Sequence, residues 1–110
     1  MPQGTSPILP GTLELLVLKV LSVAPNHGWG IGETIQAGSR DVFNVNQGTL
    51  YPTLERMLQR GWIRSAWRVT ENHRRARYYT ITDSGLGQLG EAQRQWHRTS
   101  GAVNLILRLA

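Results

Sequence analysis

The chain has 110 residues, 40% of them hydrophobic, a formal net charge of +5 and no cysteine, which allows one small domain or one domain with an extension. The lack of cysteine excludes disulfide staples, thiolate metal ligands and a thiol nucleophile. Eleven of the twelve bases are arginine, whose guanidinium grips a phosphate with two parallel hydrogen bonds, so the balance points to nucleic acid or an acidic membrane surface. In chain order, residues 1–10 carry three prolines and no periodicity and read as a loose arm. MPQGTSPILPG has neither a basic n-region nor an apolar h-region, so it does not read as a secretory signal. The first helix is expected over residues 12–24, with Thr12 as its cap, a stripe of Leu13, Leu16, Val17, Val20 and Leu21, and Pro25 as its stop. The apolar run Leu15 to Leu18 is cut off by Lys19, so nothing spans a membrane, and a cytoplasmic protein is expected.

A short second helix is expected over residues 30–39, with Trp29, Ile31 and Ile35 as its apolar side. The run GWGIG lacks the full G-x-G-x-x-G spacing and follows no strand, which argues against a dinucleotide loop and for close helix packing. The third helix occupies NQGTLYPTLERMLQRGWI. Leu50, Leu54, Met57 and Leu58 share one face, Gly61 ends the helix, and either Asn46 or Thr49 caps it. Pro52 is tolerated only near the start, so the regular helix begins near Gln47 to Thr49.

WIRSAWRV then alternates, with Ile63, Ser65 and Trp67 facing one way and Arg64, Ala66 and Arg68 the other. TENHRRA is a polar loop tip, and RYYTI resumes a strand in which Tyr78 and Tyr79 must face opposite sides, one of them the core. The result is a β-hairpin whose tip carries Asn72, His73, Arg74, Arg75 and Arg77. Thr82 or Asp83 caps a last helix. Along it Leu86, Leu89, Gln93, Trp96, Ser100, Val103 and Leu107 follow a spacing of three and four, a heptad-like seam. That helix would run roughly 40 Å, too far for the small body to cover, so the seam is expected to meet another chain. Gly101 and Asn104 are weak helix formers that loosen its end.

Three helices, a hairpin and a fourth helix make a mainly α fold with a small β-hairpin: a winged helix-turn-helix plus a long C-terminal dimerisation helix. Residues 1–10 would be the arm, 11–82 the DNA-binding domain and 83–110 the dimerisation helix. In this arrangement Leu50, Leu54 and Leu58 hold the third helix to the core. Gln47, Thr49 and Tyr51 then meet base edges and phosphates, and Gly48 lets the backbone come close. From Arg56 to Arg77 there are seven arginines and one acid, Glu71, the footprint of a phosphate track. Arg60 and Arg64 read equally well as solvated surface.

The segments LPGTLELLVLKVL, HGWGIGETI, NQGTLYPTLERMLQRGWI and ENHRRARYYTITDSG, in that order over residues 8–98, resemble the PadR family of bacterial transcriptional regulators, and the short tail resembles its compact branch. The resemblance implies a homodimer on a palindromic operator in double-stranded DNA, usually as a repressor, with no enzyme activity and no cofactor. It carries over Gln47, Thr49, Tyr51 and Pro52 as recognition-helix contacts, and Arg74, Arg75 and Arg77 as wing contacts. His27 and Gly28 match the family's H-G-[YF] motif. Trp29 replaces its aromatic, losing a phenol hydroxyl for which the indole N–H is a substitute. Some members bind small aromatic molecules near the dimer interface and then release DNA, which makes Trp96 a candidate platform, although dimer packing is the plainer reading of an aromatic at a heptad position.

The candidate DNA-binding residues are therefore His27, Gly28, Trp29, Gln47, Gly48, Thr49, Tyr51, Pro52, Arg56, Asn72, Arg74, Arg75 and Arg77. The candidate dimer residues are Leu86, Leu89, Gln93, Trp96, Val103 and Leu107. His27, His73 and His97 are far apart and lack companions at ligand spacing, so no metal site is expected. Asp83-Ser84-Gly85 reads as a helix cap and not as a nucleophile. A winged-helix module that binds protein instead of DNA is the alternative, against which the basic wing tip argues. An enzyme is more distant, since no acid/base pair, metal cluster or phosphate loop occurs at usable spacing.

Overall fold

In the computed structural model residues 8–110 are described, so residues 1–7 of the expected arm lie outside the described part. The remainder of that arm is not loose: Ile8 packs on the core and helix α1 already begins at Pro10. It spans Pro10–Val23 with Leu9 as an extended N-cap and no side-chain cap bond, in place of the expected start at Thr12. A proline's fixed φ suits the first helical position, where its missing N–H is not needed. Leu13, Val17, Leu18 and Leu21 are buried, whereas Leu16 and Val20, expected on the same stripe, lie at its edge and are only partly covered.

Strand β1, Asn26–His27, was not expected from the sequence. It turns directly into α2, Gly28–Gly38, two residues earlier than expected. A turn with Arg40 and Asp41 in the left-handed region leads to α3, Gln47–Gln59. Helix α3 buries Leu50, Leu54 and Met57 completely. It ends as Gly61 predicts: Gly61 has φ +75°, its N–H donates to the Leu58 carbonyl and the Trp62 N–H to the Met57 carbonyl. These two bonds make a Schellman motif that needs a residue at ease in the left-handed region.

Strands β2, Ile63–Val69, and β3, Arg75–Ile81, form the expected hairpin in register from Ile63 opposite Ile81 to Val69 opposite Arg75. β1 adds to the outer side of β3, with Asn26 opposite Tyr79 and His27 opposite Tyr78. The hairpin is therefore part of a three-stranded antiparallel sheet of order β1-β3-β2. Tyr79 is the tyrosine in the core, while Tyr78 packs perpendicular to the His27 ring, 5.3 Å between centroids.

Helix α4 is a single 25-residue rod, Asp83–Leu107, so Gly101 and Asn104 do not interrupt it. Thr82 is the cap: its Oγ1 accepts from the Gly85 N–H at 3.1 Å and donates to the Gly61 carbonyl at 2.6 Å, which ties α4 to the end of α3. A Cβ at Gly85 would run into the Trp62 carbonyl, so glycine permits this crossing. The radius of gyration, 15.5 Å, exceeds the roughly 13 Å of a compact chain of this length, because the far half of α4 leaves the body. Among the described residues no helix is long and apolar enough to cross a membrane.

Candidate nucleic-acid interface

The first turn of α3 points outward. Asn46, not Thr49, is its cap, with Oδ1 accepting from the Gly48 N–H at 2.6 Å. Gln47, Gly48 and Thr49 are all exposed, and Leu50 is the first residue to reach the core. Pro52 lies in the second turn, inside the helix, at the position whose N–H would have bonded Gly48. Behind this turn Thr53 is buried, the one polar side chain so placed among the described residues. Its hydroxyl donates to the Thr49 carbonyl at 2.9 Å and accepts from Arg56 Nη2 at 3.0 Å, so Arg56 is exposed yet anchored one turn back along its own helix.

Tyr51 is at once exposed and packed. It is half exposed, but its hydroxyl and ring edge lie so close to Gly28 that a Cβ there would come within 2.6 Å of the hydroxyl oxygen. The glycine of the HGWG motif thus lets α2 and α3 meet, the packing function expected of the glycine run. His27 caps α2: its Nδ1 accepts from the Gly30 N–H at 3.0 Å. An accepting Nδ1 carries no proton, so only Nε2 remains for an outside partner. This makes His27 first a structural cap and only second a candidate contact. Trp29 is 62% exposed and partly stacked on His27, 6.4 Å between centroids.

The wing tip is short and ordered. The Thr70 N–H donates to the Arg74 carbonyl and the His73 N–H to the Thr70 carbonyl, while His73 takes φ 59°. This is a three-residue hairpin loop with its last residue left-handed, a position that glycine or asparagine more often fills. The tip proper carries Glu71, Asn72, His73 and Arg74, all exposed. Arg75 and Arg77, expected at the tip, belong to β3.

These two arginines differ. Arg77 Nη1 pairs with Glu55 Oε1 of α3 at 2.9 Å, and its Nε donates to Ser65 Oγ at 2.9 Å. It braces the wing against α3 and is not free to hold a phosphate with its whole fork. Arg75 lies over the ring of Trp67, 5.2 Å from its centroid. Elsewhere in the cationic cluster, Arg60 is exposed but pairs with Glu14 of α1 at 2.8 Å and lies over Trp62, so part of its charge is engaged within the chain. Arg68 lies over Tyr78 on the other face of the sheet. Burial raises the Tyr79 hydroxyl above its ordinary pKa of 10.0, against the opposing pull of Arg77, so this phenol is neutral packing.

Between the start of α2, the flank of α3 and the wing lies an open cleft of about 420 Å³, bordered by Trp29, Tyr51, Glu55, Trp67, Arg75 and Arg77. Reading the sequence did not single out Trp67, which the alternation only placed on one face with Ile63 and Ser65 and which is 62% exposed. A second cavity, about 410 Å³, is an apolar groove between α1 and α2 lined by Leu16, Val20, Val23, Ile35 and Phe43 among others.

On α4 the heptad-spaced residues separate. Leu89 is 6% exposed and belongs to the core of its own chain, so the body removes it from any seam, and Gln93 is partly covered. Leu86, Trp96, Val103 and Leu107 are exposed apolar side chains, and so are Leu105, Ile106 and Leu109 off the seam. Trp96 borders neither of the two cavities above.

The model of the transcriptional regulator PadR-like family matches residues 17–91. Among solved structures, a PadR family transcriptional regulator from Eggerthella lenta is 30% identical, with 91% of this chain and 85% of that one covered and a TM-score of 0.78. A PadR-like transcriptional regulator from Bacillus cereus is 29% identical, with 91% and 95% covered and a TM-score of 0.78. A transcriptional regulator from Clostridium thermocellum, 23% identical, reaches 0.82 over 89% and 92% of the two chains and shares the fold.

Proposed function

The chain belongs to the PadR-like family of transcriptional regulators, and we propose that it works as a cytoplasmic homodimer that binds a palindromic operator in double-stranded DNA and represses transcription. The observation that carries this reading is the outward first turn of α3. Gln47, Gly48 and Thr49 are exposed on a helix whose following residues Leu50, Leu54 and Met57 are wholly buried. A helix so anchored presents polar side chains at base-edge distance once it enters a major groove. Arg74 and Asn72 on the wing tip then meet the sugar–phosphate backbone, which positions the protein without reading sequence.

The second copy is supported by α4. Trp96, Val103 and Leu107 are exposed apolar side chains at heptad spacing on one helix, a pattern of the kind that marks an interface. A partner α4 laid along Leu86, Trp96, Val103 and Leu107 covers them and spaces the two recognition helices for successive half-sites. Residues 11–82 form the DNA-binding domain in this reading and residues 83–110 the dimerisation helix. A small aromatic molecule stacked on Trp96 at that interface would release DNA by favouring a spacing that misfits the operator.

Two variants test the assignment. Gln47→Ala is expected to lower the preference for DNA from upstream of its own reading frame over scrambled DNA by about tenfold, the scale of one base contact. Arg74→Ala is expected to weaken both DNAs alike. Equal losses for both DNAs in the Gln47 variant would remove base reading from α3. Sedimentation equilibrium should give the mass of two chains, and Val103→Asp with Leu107→Asp should give one.

A further inference from the structure

We propose that Trp67 is a DNA-contacting residue. It forms one wall of the wing cleft, with Trp29 as the other, and the cleft takes the sugar–phosphate backbone of one strand while Arg75 supplies the cation. This inference rests on the DNA-binding reading above and adds a residue that neither the recognition helix nor the wing tip includes.

The pleat is the starting point. Ile63, Ser65 and Trp67 project from one face of β2, paired with Ile81, Tyr79 and Arg77. Ile63 is 2% exposed, but by Trp67 the body has ended and the indole is 62% exposed. An indole held in water on a hairpin does nothing for the fold, and α4, which carries the apolar strip, borders none of this cleft. Trp29 reaches the same cleft from the start of α2, also 62% exposed. Gly28 and Ala76 also line the cleft.

The charges fit a phosphodiester. Glu55 is the one carboxylate that borders the cleft, and Arg77 neutralises it at 2.9 Å. Arg75 has no carboxylate partner among the described residues and is held against the Trp67 ring. A guanidinium with no carboxylate partner keeps N–H groups for a bidentate acceptor. Arg60 on Trp62 is the instructive contrast: the same stack, but its charge is spent on Glu14. A deoxyribose presents apolar carbons and its phosphate presents anionic oxygens, which match indole faces and a stacked guanidinium. The cleft lies between the helix that would enter one groove and the wing that would follow the neighbouring backbone, where one strand must pass.

The test uses the full chain and its Trp67→Ala and Trp67→Phe variants. Fluorescence anisotropy is read on upstream and scrambled duplex DNA, together with acrylamide quenching of tryptophan emission. Trp67→Ala is expected to bind both DNAs about tenfold more weakly, within what a desolvated cation–π contact supplies. Trp67→Phe should restore most of that loss. DNA should shield from acrylamide the emission that the wild type has and Trp67→Phe lacks, a readout that a merely structural role would not move. Wild-type binding with undiminished affinity in Trp67→Ala and no shielding would overturn the proposal and leave the DNA-binding reading intact. Absence of salt-dependent binding by the wild type would overturn both. If Trp67→Ala fails to fold, Trp67→Phe and the shielding decide.

Discussion

The base and the tip of the wing share one face of one hairpin, yet they are built for opposite surroundings. At the base Ile63 and Tyr79 are buried against α1 and α3, with Ile81 packed beside them. Four and six residues beyond Ile63 along β2, Trp67 and Val69 carry the same face into solvent. The arginines divide in the same way. Arg77, nearer the base, is tied to Glu55 and Ser65, and Arg75, nearer the tip, lies over an indole and has no carboxylate partner among the described residues. Alternation decides which face a side chain takes, but distance from the body decides whether that face is core or contact surface.

The comparison can be broken by mutation. The largest effect is expected for Tyr79→Ala at the base, about 3–5 kcal/mol lost, as for other large-to-small core changes. It would be read from the urea midpoint, and Trp67→Ala at the tip should stay within about 0.5 kcal/mol. Similar losses for the two would show that base and tip fold as one packed unit. Next comes Gly85→Ala, which forces a Cβ against the Trp62 carbonyl beneath the base and should cost about 1–3 kcal/mol by overpacking. Arg77→Ala follows. Its partly exposed ion pair is worth at most about 1 kcal/mol, but its loss leaves Glu55 unpaired beside the cleft and should lower DNA affinity further. Smallest in stability is Arg75→Ala, within about 0.5 kcal/mol of the wild type. It should nonetheless reduce the slope of log affinity against log salt by about one. A larger slope change for Arg77→Ala than for Arg75→Ala would reverse the roles assigned to the two arginines.

What the sequence made legible follows the same division between local and distant. The leucine face of α3, the Gly61 stop, the Thr82 cap and the opposed tyrosines depend on residues a few positions apart, so periodicity and capping chemistry reach them. β1 has two residues, too few to show a period, and exists only because β3 lies beside it. Arg60 and Arg77 looked like members of one phosphate track because their partners, Glu14 and Glu55, stand 46 and 22 positions away. Heptad spacing placed Leu89 on a shared face of α4, but spacing cannot tell whether the neighbour belongs to the same chain, and here it does. His27 read as a surface contact because its capping bond requires β1 and α2 to meet at that residue. Trp67 went unnoticed because alternation gives only the face it shares with Ile63 and Ser65, not where along the strand that face leaves the body.

The most direct test of DNA recognition through α3 and the wing is the affinity of the purified protein for duplex DNA from upstream of its own reading frame, against scrambled DNA, by fluorescence anisotropy across a salt series. Specific regulation predicts binding tighter for the upstream DNA on the order of a thousandfold, with a steep loss of affinity as salt rises. Equal affinity for both DNAs would contradict sequence recognition of that upstream DNA by α3. No salt-dependent binding to either would contradict the DNA interface altogether and leave the winged helix as a surface for a protein partner.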